Sequence, residues 1–95
     1  MRFNLESCAP LYAELAGIVL PGIEGSDLEK AAKLADHLGG LNGELRLPTR
    51  LSQVGIGEAD IEGLANDAMN QQRLLGNNPR EVRLDDVRAI YREIL

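Results

Sequence analysis

The chain is poor in cysteine and in long apolar runs. Cys8 is the single cysteine, so an internal disulfide is impossible and a reducing, cytoplasmic setting is expected. Apolar runs such as Ile18-Val19-Leu20 fall far short of the ~20 residues that span a bilayer. The residues after Met1 are too polar for a secretory signal. We therefore expect no membrane partner.

Basic residues are also scarce relative to acidic ones. Ten Lys and Arg face fifteen Asp and Glu, for a formal net charge of −5, and electrostatic binding to nucleic acid needs a basic face. Residues 51–56 followed by a helix imitate a helix-turn-helix. The second helix would present only carboxylates: Glu58, Asp60, Glu62 and Asp67. We expect no nucleic-acid partner.

The usual signatures of chemistry are missing too. His37 is the single histidine, and a metal site usually recruits three or four donors. The glycines form no phosphate-binding frame, and the serines have no partnering histidine in a nucleophile motif. The carboxylates of Glu58, Asp60 and Glu62 are interpreted as an exposed helix face. We predict no catalytic, cofactor-binding or metal-ligating residue in the chain.

Helical periodicity, by contrast, is present throughout the chain. The apolar spacing predicts an all-α fold, a small bundle of about four main helices near residues 9–19, 27–45, 58–70 and 84–94, with a short helical turn near Leu51. No stretch alternates with a period of two. A length of 95 residues predicts a single helical domain over 1–95 with a thin stability margin.

Particular residues mark where the helices begin and end. Pro10 suits a first helical turn, and Ser26 with Glu29 has capping-box form, with the carboxylate reaching back to the serine N–H. Gly39-Gly40 predicts fraying or a break after Leu38, and the long helix should end before Pro48.

Two helices carry apolar faces. In the first, Leu11, Leu15 and Ile18 share a face. In the long helix the apolar arc is wider than one neighbour normally covers: Ala31, Leu34, Ala35, Leu38, Leu41 and Leu45. Exposed apolar arcs of this size predict self-association, as a homodimer through the long helix.

The second half of the chain is organised around the loop at residues 76–80. Pro79 forces any helix arriving from Met69 to end before it, while Gly76, Asn77 and Asn78 tolerate left-handed backbone. A new apolar repeat starts at Leu84. The pattern predicts a helix, a polar turn and a closing helix.

Several stretches resemble the C-terminal region of the iron-containing, or group III, alcohol dehydrogenases. Residues 47–56 resemble that family's "LPTRLSELGV" connector, and residues 58–65 its "EEDI...LA" helix. Residues 78–91 are similar to its "NPR...EDI..IY" ending. The opening residues 1–4 resemble the end of "LPHVMRFN", and residues 9–16 resemble the family segment directly after that motif. The resemblance covers nearly the whole chain and is weakest from Ile18 to Gly43.

The resemblance implies an enzyme with an N-terminal nucleotide-binding α/β domain and a C-terminal helical domain that carries a divalent metal. Such enzymes use iron or another divalent metal and NAD or NADP to oxidise an alcohol by hydride transfer. The family's metal ligands, one aspartate and three histidines, and its glycine-rich cofactor motif lie upstream of the matched segment. We therefore expect the last part of such an enzyme, inert alone, arising as a truncated reading frame, a split-gene product or a cut fragment.

Alternatives to that function remain open on the sequence alone. The enzyme alternative is a relative of maleylacetate reductase, and the non-enzymatic one is a free-standing helical interaction module. The expected partner is a second copy of the chain or the missing N-terminal part of the enzyme.

The resemblance also gives expectations for two residues near the end of the chain. The position four before the asparagine of "NPR" approaches the substrate pocket in some relatives, and it is Leu74 here. A leucine would form an aliphatic pocket wall, although an ordinary core leucine is the stronger interpretation. At Arg83 the family more often has a capping threonine, so the final helix should be less well capped.

Overall fold

The computed structural model describes residues 1–95 and is entirely helical. Five α-helices are α1 (Leu5–Val19), α2 (Asp27–Glu44), α3 (Ile61–Met69), α4 (Gln72–Leu75) and α5 (Leu84–Glu93). Three short 3-10 segments are Arg2–Asn4, Leu51–Val54 and Glu58–Asp60. The all-α prediction is confirmed. None of these helices has both the length and the apolar character needed to cross a membrane.

The chain divides into two compact units, residues 1–47 and 48–95. The first unit is the hairpin of α1 and α2, and the second contains α3, α4 and α5. The single domain expected over residues 1–95 stays a prediction, which cooperative unfolding would test.

Small side chains form the core of the first unit. The buried residues of α1 are Cys8, Ala9, Ala13 and Ala16, and those of α2 are Ala31, Leu34 and Ala35. Side chains this small let two helix backbones approach closely. Leu34 is the one large side chain of the hairpin that is almost fully buried, with 2% of its surface exposed.

The start of α1 differs from the prediction. The helix begins at Leu5, so Pro10 lies in its interior and not in the first turn. Proline cannot donate to the Glu6 carbonyl four residues earlier. Pro10 and Glu6 are both exposed, so water can solvate that carbonyl.

α2 begins as the sequence predicts. The Ser26 hydroxyl accepts from the Glu29 N–H at 3.2 Å. The Glu29 carboxylate accepts from the Ser26 hydroxyl at 3.1 Å, in place of the expected serine N–H. The helix cap is therefore present, but the Glu29 carboxylate accepts from the serine hydroxyl and not from the serine backbone N–H.

The predicted helix over 27–45 is confirmed as α2, which continues through Gly39-Gly40 to Glu44 without the break that the glycines favour. The end before Pro48 is confirmed. Arg46 takes a left-handed φ of 55°, the Leu47 N–H donates to Asn42 and the Arg46 N–H to Gly43. This pair of bonds is a Schellman motif, which closes the helix on its own carbonyls.

In the second unit, α3 packs on α5. Ile61 and Ala65 of α3 and Val87 of α5 are its buried residues. The predicted helix over 58–70 is resolved into a 3-10 turn, Glu58–Asp60, followed by α3. The predicted helix over 84–94 is confirmed as α5, which ends one residue earlier.

The second unit also contains a 3-10 turn over Leu51–Val54 that is closed by Gly55 at φ 85°, as predicted. The N–H groups of Leu51 and Ser52 donate to the carbonyls of Ile94 and Leu95. The last residues of the chain thereby satisfy donors at the start of the turn, which have no partner within it.

Candidate functional site

The segment between α3 and α5 contains Leu74, the residue predicted as a possible pocket wall. It lies on α4, a single helical turn that was not predicted from the sequence. Its surface is 67% exposed in this chain, and its role as a pocket wall or a core leucine stays a prediction. Leu74 makes no part of the packed interior of these 95 residues.

The loop that follows α4 has right-handed or extended backbone at its first residues. Gly76 has φ −64°, and neither Asn77 nor Asn78 has a positive φ, so the left-handed backbone that these residues tolerate is not used. The helical turn of α4 removes the need for it, because successive right-handed turns already redirect the chain. The Asn78 side chain donates to the Arg80 carbonyl and stabilises the polar turn.

Beside this loop lies a polar surface depression of about 330 Å³, lined by Arg80, Glu81, Arg83 and Asp86. Arg83 donates to Glu81 at 3.1 Å, and this hydrogen bond raises the pKa of the guanidinium. Both side chains are mostly exposed. Leu74 does not line the depression.

Arg83 gives the start of α5 no side-chain cap bond, as expected where the family more often has threonine. The Asp86 carboxylate accepts from the Arg83 N–H at 2.9 Å, which satisfies one donor of the first turn of α5. This bond satisfies the N–H of Arg83 and not the N–H groups that a threonine hydroxyl would accept from, so α5 lacks part of a full cap. The Asp86 charge also suits the helix dipole.

The acidic residues around α3 have specific partners. Glu62 accepts two bonds from Arg88 of α5, at 2.6 and 2.8 Å. Glu58 accepts from Arg92 at 2.9 Å, and Asp60 accepts from the Gly57 N–H at 2.8 Å. The carboxylates of Glu58 and Glu62 therefore form ion pairs with α5, and that of Asp60 caps the turn before α3.

The Arg88 guanidinium is the centre of this network. It also donates to Asp85 at 2.7 Å, and these hydrogen bonds raise its pKa above the ordinary arginine value. The hydrogen bond from Arg88 in turn lowers the pKa of Glu62. These ion pairs were not predicted from the sequence. The sequence signal for these pairs was a shared i, i+4 spacing: Glu58 and Glu62 before the loop, and Arg88 and Arg92 after it.

The remaining candidates show no clustering. His37 is exposed on α2, and no three side chains among His, Cys, Asp and Glu come together as a possible metal-binding group.

Comparison with known proteins gives one consistent result. The family described as "Fe-containing alcohol dehydrogenase family, C-terminal" matches residues 1–95. No solved structure gives a significant match.

Three curated relatives are similar to nearly the whole chain. Lactaldehyde reductase of Escherichia coli (strain K12) is 33% identical over 92 residues, which are 96% of this chain and 24% of that protein. Long-chain-alcohol dehydrogenase 1 of Geobacillus thermodenitrificans is 33% identical over 93 residues, covering 96% and 23%. Sulfoacetaldehyde reductase of Bilophila wadsworthia is 34% identical over 92 residues, covering 93% and 24%.

The chain spans about a quarter of the length of the curated relatives it matches. Its all-helical fold agrees with the helical C-terminal part that the sequence motifs indicated. The chain belongs to the Fe-containing alcohol dehydrogenase family, and it corresponds to the C-terminal part of that family.

Proposed function

We propose that this chain functions as the C-terminal helical part of a metal- and NAD(P)-dependent alcohol dehydrogenase that acts on an alcohol or its aldehyde. The observation that carries the proposal is the family match over all 95 residues. The three relatives are named for reductase or dehydrogenase activity on aldehydes and alcohols, which supports the same chemistry.

The chain by itself is catalytically inert under this proposal. Metal-assisted hydride transfer needs ligands that hold a Lewis acid and a site that positions the nicotinamide. Iron or another divalent metal and NAD or NADP would be bound by the preceding part of the enzyme. The helices of this chain would supply the scaffold that closes the active site.

A chimera tests the proposal. The 92 residues of the Escherichia coli lactaldehyde reductase that match this chain would be replaced by it, and oxidation of NADH or NADPH would be followed with lactaldehyde. We expect reductase activity and bound metal in the chimera and neither in the isolated chain. A chimera that is folded yet inactive with both cofactors would contradict the proposal, as would turnover by the isolated chain.

The same assay separates the alternatives. A maleylacetate reductase-like enzyme would show its activity with maleylacetate in place of simple aldehydes. An interaction module without chemistry would give no activity in any chimera.

Leu74 would form part of the substrate-pocket wall in the complete enzyme. Its exposure on α4 supports this role, because the side chain is not used in the core of the chain. Replacing Leu74 by Phe in the active chimera should raise KM for longer aldehydes more than for short ones. The matched control is Val54→Phe, another exposed apolar position, which should leave this preference unchanged.

For the isolated chain, self-association as a homodimer through α2 belongs to the same proposal. Leu34 is buried inside the hairpin and cannot contribute, which leaves the partly exposed Leu38, Leu41 and Leu45. Sedimentation at micromolar concentration should give a dimer mass that Leu38→Glu reduces to a monomer. A monomer mass that persists on concentrating the wild-type chain would contradict it.

A cytoplasmic location completes the proposal. The unpaired Cys8 supports it, because reduced thiols persist in a reducing compartment. Cell fractionation with an antibody to the chain would test this assignment.

A further inference from the structure

Helices α3 and α5 form an antiparallel pair joined by residues 70–83, which we call the α4 segment. Two ion pairs show this direction, because Arg88 of α5 pairs with Glu62 of α3, and Arg92 pairs with Glu58 just before α3. Positions that rise along one stretch fall along the other. The Glu62–Arg88 pair is therefore the nearer of the two to the ends of the helices that the α4 segment joins.

The α4 segment is held mainly at its ends. None of its residues is buried, and Leu74 within it is 67% exposed. Its backbone hydrogen bonds include local ones, such as the bond from the Leu75 N–H to the Gln71 carbonyl at 3.0 Å. A segment with few buried apolar contacts has low local stability. Its place therefore depends on how firmly α3 and α5 are fixed to each other.

Few apolar side chains hold α3 against α5. The buried ones are Ile61, Ala65 and Val87. Apolar attraction is non-directional, so it favours contact between two helices without selecting one register. Directional bonds across the pair are therefore needed to fix where the ends of the α4 segment lie.

Arg88 supplies such bonds. Its Nε and Nη2 donate to the two oxygens of Glu62 at 2.6 and 2.8 Å, and its Nη1 donates to Asp85 in the first turn of α5 at 2.7 Å. A forked pair of bonds to one carboxylate is geometrically specific as well as strong. The Arg88 side chain is 27% exposed, against 53% for Arg92, so solvent screens it less.

We propose that Arg88 is a positioning residue of the dehydrogenase, which fixes α3 against α5 and so holds the α4 segment, with Leu74, in place for the substrate. This inference rests on the proposed function, in which Leu74 forms part of the pocket wall. Without the fork, the two ends of the segment would move relative to each other. Leu74 would then contact the substrate for only part of the time, and the lost contact would weaken substrate binding.

Kinetics of the lactaldehyde reductase chimera test the proposal. Arg88→Gln removes the fork, and Arg92→Gln is the matched control, since it breaks the ion pair farther from the α4 segment. For the longest aldehyde that the chimera reduces, Arg88→Gln should raise KM on the order of tenfold, the size of one lost methylene contact in a pocket. Its kcat should change little, because a wall contact acts equally on substrate and transition state. Arg92→Gln should leave KM unchanged. A merely structural role would lower the amount of active enzyme, and hence the apparent kcat, without raising KM.

Milder variants separate geometry from charge. Arg88→Lys keeps the positive charge but cannot donate a forked pair of bonds, so its KM should lie between those of the parent chimera and Arg88→Gln. Glu62→Gln should also raise KM. The double variant Glu62→Gln/Arg88→Gln should raise KM no further than Arg88→Gln, because both changes break the same pair. Arg88→Lys and Glu62→Gln decide the matter if Arg88→Gln fails to fold.

Amide hydrogen exchange gives a readout that needs no activity. The N–H groups of Leu75 and Gly76 donate to the carbonyls of Gln71 and Gln72 in α4. In the Arg88→Gln chimera these two amides should exchange severalfold faster than in the parent, whereas Arg92→Gln should leave their exchange unchanged. Amides of α1 and α2 should exchange at the parent rate in both variants.

Two results would overturn the proposal. One is an active chimera in which Arg88→Gln raises KM no more than Arg92→Gln does. The other is unchanged exchange of the α4 amides in Arg88→Gln. A folded but inactive chimera contradicts the proposed function, and exchange then decides the inference by itself, with faster exchange in α4 supporting the hold of Arg88 on the segment.

Discussion

Replacing Leu34 by Ala should be among the most destabilising single changes in the first unit. Leu34 is 2% exposed and is the one large side chain of the α1–α2 hairpin that is almost fully buried. The other buried members are Cys8 and alanines, which have no side-chain rotamers large enough to fill the vacated space. The cavity should therefore persist.

The size of the effect follows from this lack of relaxation. Leucine-to-alanine changes in cores cost about 2–5 kcal/mol, and the larger values belong to sites that do not collapse. We expect about 3–5 kcal/mol for Leu34→Ala. At roughly 4–8 °C per kcal/mol for a domain of this size, Tm should fall by at least about 12 °C.

The assay is thermal and urea unfolding of the isolated chain followed by circular dichroism, at a concentration where wild type and variants have the same mass. Leu45→Ala is the control, since Leu45 follows α2 with 67% of its surface exposed. It should change the free energy of unfolding by about 0.5 kcal/mol or less. Equal losses for the two variants would refute the packing of α2 on α1 through Leu34.

Three further predictions concern local contacts. Ser26→Ala should lower the free energy of unfolding by about 1 kcal/mol through loss of the α2 cap, whereas an unchanged urea midpoint would rule this out. Arg46→Gly should raise the free energy of unfolding by about 1 kcal/mol, and Gly55→Ala should lower it by about 1 kcal/mol, because both positions have positive φ. The same unfolding measurement checks both signs. The pKa of Glu62 is lowered in the fold by the hydrogen bond from Arg88, so the contribution of this pair is complete above the ordinary value of 4.5 and is lost as pH falls through the lowered pKa. Arg88→Gln should flatten the acid limb of the stability profile, and an unchanged acid limb would contradict the role of the pair.

Much of the secondary structure could be predicted from the sequence because its causes are local. Ser26 with Glu29 marks the start of α2, and Pro48 limits its end. Gly55 closes a turn because its left-handed φ suits a residue without Cβ. The motifs at residues 47–56 and 78–91 also indicated the family, since they depend on residue types and not on packing.

The tertiary structure decided which apolar residues are inside. By periodicity alone, Leu11, Leu15 and Ile18 were candidates for burial on a shared face of α1, yet the alanine side packs on α2 because small side chains permit close contact between helices. Leu74 is exposed on a short helical turn of this chain. Periodicity shows that residues share a face, but which face meets a neighbour depends on residues distant in the chain. The pairing of Glu62 with Arg88, 26 positions apart, depends on the same long-range packing of α3 against α5.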